Sequence, residues 1–418
     1  MRNVVPAIFA ALLAIPAAAQ QPTTTPSKAP QVKTAVPAGG AAPASGASKP
    51  VAPADPVADL NKQALQLLAS GKPQEAIALC KKAITLNPKD IASYVHLGAA
   101  YDQQHQYKDA ESAFRRATEL NPTFADFHYQ LGNTLVQQQK YDKAITEFSR
   151  AEELERRDPR YPLAIGDTDL QQHDYDSARK AYIEAMGVSP DFPPVHDALG
   201  NLDEQENRHQ AAVEEYQAAL RVAPNDVTAG AGLSNALAGL KRYDEAEKLA
   251  RAMLSKSPKD PNLMANLAQV LDSEGKHADA VAEYQQIVQM APSDAYQWGN
   301  YGWSLYGAGN YDEAVKQSMH ALQLDPKLAY VRFNLGLIYA VQNRWPEAQK
   351  EYDRAIAIAS PVEIESAMND VNDALSKHPA APGLRMALGY LKDADFRSLA
   401  AQDQVGAAAK PPQGTASR

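Results

Sequence analysis

The chain has 418 residues, 45% of them hydrophobic and 22% charged, so most of it can bury a core. Acidic residues outnumber basic ones, 50 to 41, and the formal charge of −9 argues against the clustered Lys/Arg surface that a phosphate backbone requires. The single cysteine, Cys80, rules out an intrachain disulfide and any paired-cysteine metal or redox site.

Met1-Arg2-Asn3 is a short positive start, Val4 to Ile15 is apolar, and Ala17-Ala18-Ala19 puts small residues before Gln20. That order predicts a signal peptide over residues 1–19 and a periplasmic or secreted mature chain. The apolar run falls short of the ~20 residues that span a bilayer, and Pro6 and Pro16 interrupt it, which disfavours an uncleaved anchor. Residues 20–56 hold 8 Pro and 9 Ala and no aromatic residue. They cannot bury enough apolar area to offset chain entropy, and a disordered linker is expected.

From Val57 the chain repeats every 34 residues, with units at 57–90, 91–124, 125–158, 159–192, 193–226, 227–260, 261–294, 295–328 and 329–362. Position 20 is alanine in every unit, from Ala76 to Ala348. Position 8 is always small, as in Gly98, Gly132, Gly166, Ser234 and Gly336, and position 32 is proline in seven of the nine. Within 91–124, Tyr94, Leu97, Gly98 and Tyr101 recur at helical spacing, and Tyr107, Ala110, Phe114 and Ala117 do so again. Two helices joined by a turn near His105 are predicted. Small residues at positions 8 and 20 let the backbones approach, while large ones at 7, 11, 17 and 24 fill the seam. Cys80 takes position 24 of the first unit and reads as a small buried thiol. Such pairs bury their apolar faces only by stacking. Residues 363–406 carry Val371, Leu375, Leu384, Leu388 and Leu391 at helical spacing and are expected to cap the last unit, with a disordered tail over 407–418.

On these residues the chain resembles the tetratricopeptide repeat family. The resemblance implies an all-α, right-handed α-solenoid in which first helices line a concave groove and second helices lie outside. It implies a protein-binding scaffold without catalysis. Repeats 4 and 5 depart at position 11, where Asp169 and Asp203 are expected to turn to solvent. Repeat 4 also has Pro162 in place of an aromatic residue, and repeat 3 ends on Arg156 in place of proline.

No nucleophile elbow, zinc-helix motif or phosphate-cradling glycine loop occurs, so neither an enzyme nor a cofactor is expected. The histidines share positions in pairs, His128 with His196, His209 with His277 and His105 with His173. Each pair is separated by a whole intervening repeat, too far for one metal ion, and a structural role is expected.

In the family, positions 2, 5, 6, 9, 12 and 13 face the groove. Repeats 2–5 place Gln103, Gln137, Gln171 and Gln205 there with Asp102, Asp126, Asp167, Asp197 and Glu204, a polar and acidic trough. Position 6 is then Asn266, Asn300 and Asn334, flanked by Tyr296, Trp303, Tyr306, Tyr330 and Phe333. An amide both donates and accepts, so such a column can pair with the backbone of an extended peptide, with the aromatics forming its apolar pockets. It resembles the asparagine ladder of the O-linked N-acetylglucosamine transferases, without their catalytic domain. A carboxylate clamp is incomplete, because Tyr296 and Asn300 stand where basic residues belong. The expected partner is a protein segment in the bacterial envelope, with no nucleic acid and no membrane span after signal cleavage. The alternative is an accessory role in exopolysaccharide synthesis or export.

Overall fold

A computed structural model describes residues 55–408, with side chains through Asp395. The expected leader 1–19, the linker through residue 54 and residues 409–418 of the tail lie outside the described residues. Among the described residues there are twenty α-helices and no strand. None is long and apolar enough to cross a membrane.

The first eighteen helices form nine pairs: α1 (Pro56–Ala69) and α2 (Pro73–Leu86), α3 (Ile91–Gln103) and α4 (Tyr107–Leu120), α5 (Ala125–Gln137) and α6 (Tyr141–Leu154), α7 (Arg160–Gln171) and α8 (Tyr175–Val188), α9 (Pro193–Gln205) and α10 (His209–Val222), α11 (Val227–Gly239) and α12 (Tyr243–Lys256), α13 (Pro261–Glu274) and α14 (His277–Met290), α15 (Ala295–Gly307) and α16 (Tyr311–Leu324), α17 (Ala329–Val341) and α18 (Trp345–Ile356). Two more follow, α19 (Pro361–Lys377) and α20 (Pro382–Ala408). The helices divide between two compact bodies, one of residues 55–202 with 218–224, the other of 203–217 with 225–408. Within each body, consecutive pairs stack as a helical solenoid.

Local chemistry starts and stops each helix. The carboxylates of Asp90, Asp226, Asp260 and Asp294 accept from N–H groups of the first turn, which have no partner inside the helix. The turn inside every pair reaches the left-handed region at position 15. Gly71, His105, Gln139, His173, Asn207, Lys241, Gly275, Gly309 and Asn343 all have φ between 57° and 90°. His105 and His173 are therefore turn residues held in a conformation that favours glycine.

The seam follows directly from residue size. The alanine at position 20 is wholly buried in all nine pairs. A Cβ at Gly98 would stand 2.7 Å from the ring of Phe114, and one at Gly132 2.5 Å from Phe148, so position 8 of these two repeats has room for hydrogen alone. Cys80 is buried and its thiol is pushed up to about 11 by burial, which leaves it unreactive.

A recurring hydrogen bond ties one pair to the next. The side chain at position 4 donates to the carbonyl of the proline six residues earlier. Tyr94 reaches Pro88 at 3.2 Å, His128 reaches Pro122 at 3.2 Å, and His196 reaches Pro190 at 2.8 Å. Trp298 reaches Pro292 at 3.0 Å and Arg332 reaches Pro326 at 2.8 Å. This gives His128 and His196 a structural role as donors across a joint. Arg156 and Pro162 fall at the two ends of the one joint where acceptor proline and donor are both replaced. Asp203 departs from the expectation that it faces water: it is buried and its carboxylate sits 2.8 Å from Arg208.

Candidate functional site

First helices lie side by side, and hydrogen bonds cross from each to the next. In the 55–202 body, Thr134 of α5 donates to Asp102 of α3 at 3.0 Å. Burial raises the Asp102 carboxyl to about 6, and the Thr134 bond offsets only part of that. Asp167 is exposed, and Tyr182 donates to it at 2.9 Å. Asp126 is not a bare charge: Arg160 contacts it at 3.1 Å, and the same guanidinium lies over the rings of Tyr129 and Tyr161 at 5.4 and 5.5 Å. Gln103, Gln137 and Gln171 are exposed and Asp197 is half-buried, whereas Gln205 belongs to the other body. The expected acidic trough is thus a row of exposed amides in which three carboxylates have partners from their own chain.

In the 225–408 body the expected peptide site separates into three groups. Asn266 is buried, and its amide donates to Asn235 at 2.8 Å and to the Ala231 carbonyl at 3.2 Å. It is a joint between α11 and α13 in place of a rung open to a ligand. Phe333 is likewise withdrawn from the surface, buried 6.3 Å from the ring of Tyr352. Apolar packing in the cluster shared with Tyr352, α19 and α20 takes position 5 of the last repeat inside.

Asn300 and Asn334 behave differently. Both are half-exposed, and neither side chain hydrogen-bonds to the rest of the described chain. Beside them Tyr296 stacks on Tyr330, centroids 6.2 Å apart and planes at 16°, and the Tyr330 hydroxyl donates to the Tyr296 carbonyl at 3.3 Å. That pair fixes α17 against α15 and leaves Tyr296 half-exposed. Trp303 and Tyr306, 5.2 Å apart, are the third group. They are half-buried and pack against the cluster that also holds Ile364, Ala367 and Val371 of α19.

Periodicity did not reveal a paired carboxylate and imidazole in this body. Asp272 is buried, accepts from His277 at 2.9 Å and from Ser304, and burial raises its carboxyl. A Cβ at Gly307 would stand 2.5 Å from the His277 ring, so glycine is required where α15 crosses it. Glu204 and His209 pair in the same way at 2.8 Å, with Gly239 over the ring. The signal was present as an acid at position 12, His at 17 and Gly at 13 of the next repeat. Among the described residues, no group of three or more His, Cys, Asp or Glu is placed to hold a metal ion.

Models of the tetratricopeptide repeat match residues 67–117, 103–164 and 237–300, and further ones match 198–261 and 302–364. No curated protein matches the chain. Among solved structures, a tetratricopeptide repeat protein from Parabacteroides merdae is similar at 17% identity and a TM-score of 0.51, over 59% of this chain and 98% of that one. A chain of the Cut9–Hcn1 hetero-tetramer of the APC/C is 17% identical at a TM-score of 0.47, over 59% of this chain. The present chain spans 48% of that protein's length. PilW, a type IV pilus biogenesis factor, is 15% identical at a TM-score of 0.45, over 51% of this chain and 98% of its own. At such identities the likeness is one of fold. The 34-residue register, the helix pairs and the matched models together establish that this chain belongs to the tetratricopeptide repeat family, whose members mediate protein–protein interaction.

Proposed function

We propose that the protein is a non-catalytic scaffold of the bacterial cell envelope that holds an extended segment of a partner protein on the first-helix face of α13, α15 and α17. One observation carries this reading. Asn300 and Asn334 stand 34 residues apart at the same repeat position, half-exposed, with side-chain donors and acceptors that no group among the described residues uses. Idle amides on successive parallel elements suit a peptide backbone, whose N–H and C=O groups alternate along its length. Tyr296 beside them offers an apolar face with a polar tip. The envelope assignment rests on the positive start, the apolar run and the Ala17–Ala19 ending, with the mature chain beginning at Gln20.

The test is partner capture from cells by crosslinking and mass spectrometry, with N-terminal sequencing of the recovered protein. Asn300→Ala with Asn334→Ala should lose the captured partner while the unfolding midpoint holds. Asn266→Ala should instead lower stability by about 1 kcal/mol, because it leaves Asn235 and the Ala231 carbonyl without their donor. Equal capture by the double variant, or an intact Met1 on a cytosolic protein, would count against the respective half of the reading.

A further inference from the structure

α20 behaves as a tenth first helix. It packs on α17 and α18, and Leu384, Ala387 and Leu391 are fully buried. Arg385, its fourth residue, donates to the Pro379 carbonyl at 2.8 Å, the same bond that position 4 makes elsewhere. Its eighth residue is Gly389, again the small residue of the repeat. The Gly383 N–H donates to Asn343 at 3.2 Å, and Tyr390 reaches Asp353 and stacks edge-on to Trp345. The repeat frame that would restart at residue 363 therefore restarts at Pro382. What lies between is α19, an insertion into the register.

The insertion rests on the first-helix side. α19 packs on α17 and α20, and its apolar stripe of Ile364, Ala367, Val371 and Ala374 joins the cluster that Trp303 and Tyr306 of α15 pack against. Asp370, buried in the middle of that stripe, acts electrostatically on Tyr306 and Tyr352. The stripe is short and built from small side chains, against a wall of Trp, Tyr and Phe. The Tyr352 hydroxyl is fully buried there and has no hydrogen-bond partner among the described residues. An unpaired buried hydroxyl is unfavourable, so the present fit leaves stabilisation unused. α19 also has its own capping box, Ser360 with Glu363, and short loops on both sides, while α20 has further anchors of its own on α17 and α18.

We propose that the surface formed by α15, α17 and α20 is a receptor for an amphipathic helix, that α19 fills it in cis, and that a partner helix of matching face displaces α19. The partner presents small or β-branched residues at i, i+3, i+7 and i+10 and, near i+6, a carboxylate or amide that also accepts from Tyr352. This is a helix-in-groove mode. It uses Trp303, Tyr306, Phe333 and Tyr352, and does not depend on the row of Asn300 and Asn334.

The probe is a labelled synthetic peptide of residues 361–377, followed by anisotropy against the full chain. In the Ala367→Arg, Val371→Arg variant the native α19 cannot seat. That variant should bind the peptide at least ~10-fold more tightly than the parent does, since the competing segment is removed. The gain should vanish when Tyr306→Ala is added, and a peptide carrying the same two arginines should not bind. A folded variant that binds no better than the parent overturns the proposal and leaves α19 as a cap only. Should the variant fail to fold, hydrogen exchange of the parent decides. α19 amides should exchange roughly 10-fold faster than those of α17 and the 382–395 part of α20, the mark of a segment that opens on its own. Equal protection of α19 and α20 overturns it.

Discussion

The two bodies are built on one frame and differ where the frame makes no demand. Both have a buried position-20 alanine, the left-handed turn at position 15 and the prolyl-carbonyl bond at position 4. Both carry the same inter-repeat ion pair, Lys140 on Glu111 at 2.7 Å in one and Lys276 on Glu247 at 2.8 Å in the other. Their first-helix faces diverge. The 55–202 body shows exposed glutamines and self-paired carboxylates, and the 225–408 body shows aromatics, two idle asparagines and an inserted helix. Positions 4, 8, 15 and 20 keep their structural roles in both bodies, while the first-helix faces differ in which side chains packing leaves unused.

All three tryptophans, Trp298, Trp303 and Trp345, lie in the 225–408 body, so their fluorescence reports that body while circular dichroism reports both. The largest expected effect is at position 8. Gly98→Leu drives a side chain into Phe114 and should lower stability by about 1–3 kcal/mol, seen in circular dichroism with the fluorescence transition held. Gly389→Leu, at the same register position in α20, meets nothing within 4 Å and should change stability by no more than ~1 kcal/mol, in the stabilising direction, through helix propensity. Equal losses at both sites would erase the distinction between a paired and an unpaired first helix.

Next comes pH. Burial raises Glu111, but donors from Lys140, Arg115 and Gln138 outweigh it and pull the carboxyl to about 2, below its ordinary 4.5. Its contribution, on the order of 2 kcal/mol, is present above pH ~4.5 and is lost as pH falls toward ~2; Glu111→Gln should remove that slope. Asp102 has the opposite sign. Raised to about 6 from 3.8, it favours the protonated folded chain, so stability should rise as pH drops from 7 through 6. Asp102→Asn should flatten this rise in urea unfolding between pH 7 and 5. An unchanged slope would mean that Asp102 is as well hydrated folded as unfolded.

The smallest effect is at the turns. His105→Gly should gain about 0.5–1 kcal/mol by relieving a left-handed backbone, and Gly275→Ala should lose a similar amount in the other body. Thermal unfolding read by both probes would show each change in its own body.

Much of the fold is legible in the sequence because its determinants are steric and periodic. Position 20 admits only a methyl group, position 8 only a hydrogen or a small side chain, and both recur every 34 residues. The candidate site was less legible. A groove position identified from one helix says nothing about what the next element does there, so Phe333 and Asn266 were read as surface although packing buries them. Spacing could not show that Trp303 and Tyr306 pack against the cluster that α19 joins, because α19 is an insertion outside the repeat. The acid at position 12 with histidine at 17 was visible, yet only geometry shows that Gly307 must be bare for His277 to fit beneath it.

The bond from position 4 to the prolyl carbonyl is met by a phenol, an imidazole, an indole and a guanidinium in turn. The requirement there is one hydrogen on an arm long enough to reach back six residues. Charge, aromaticity and titration are left unspecified, so such a site can gain or lose a proton equilibrium or a fluorophore while the joint persists. Mutational drift can therefore reset the electrostatics of a repeat junction without breaking it, and a chain of nine repeats offers that freedom many times over.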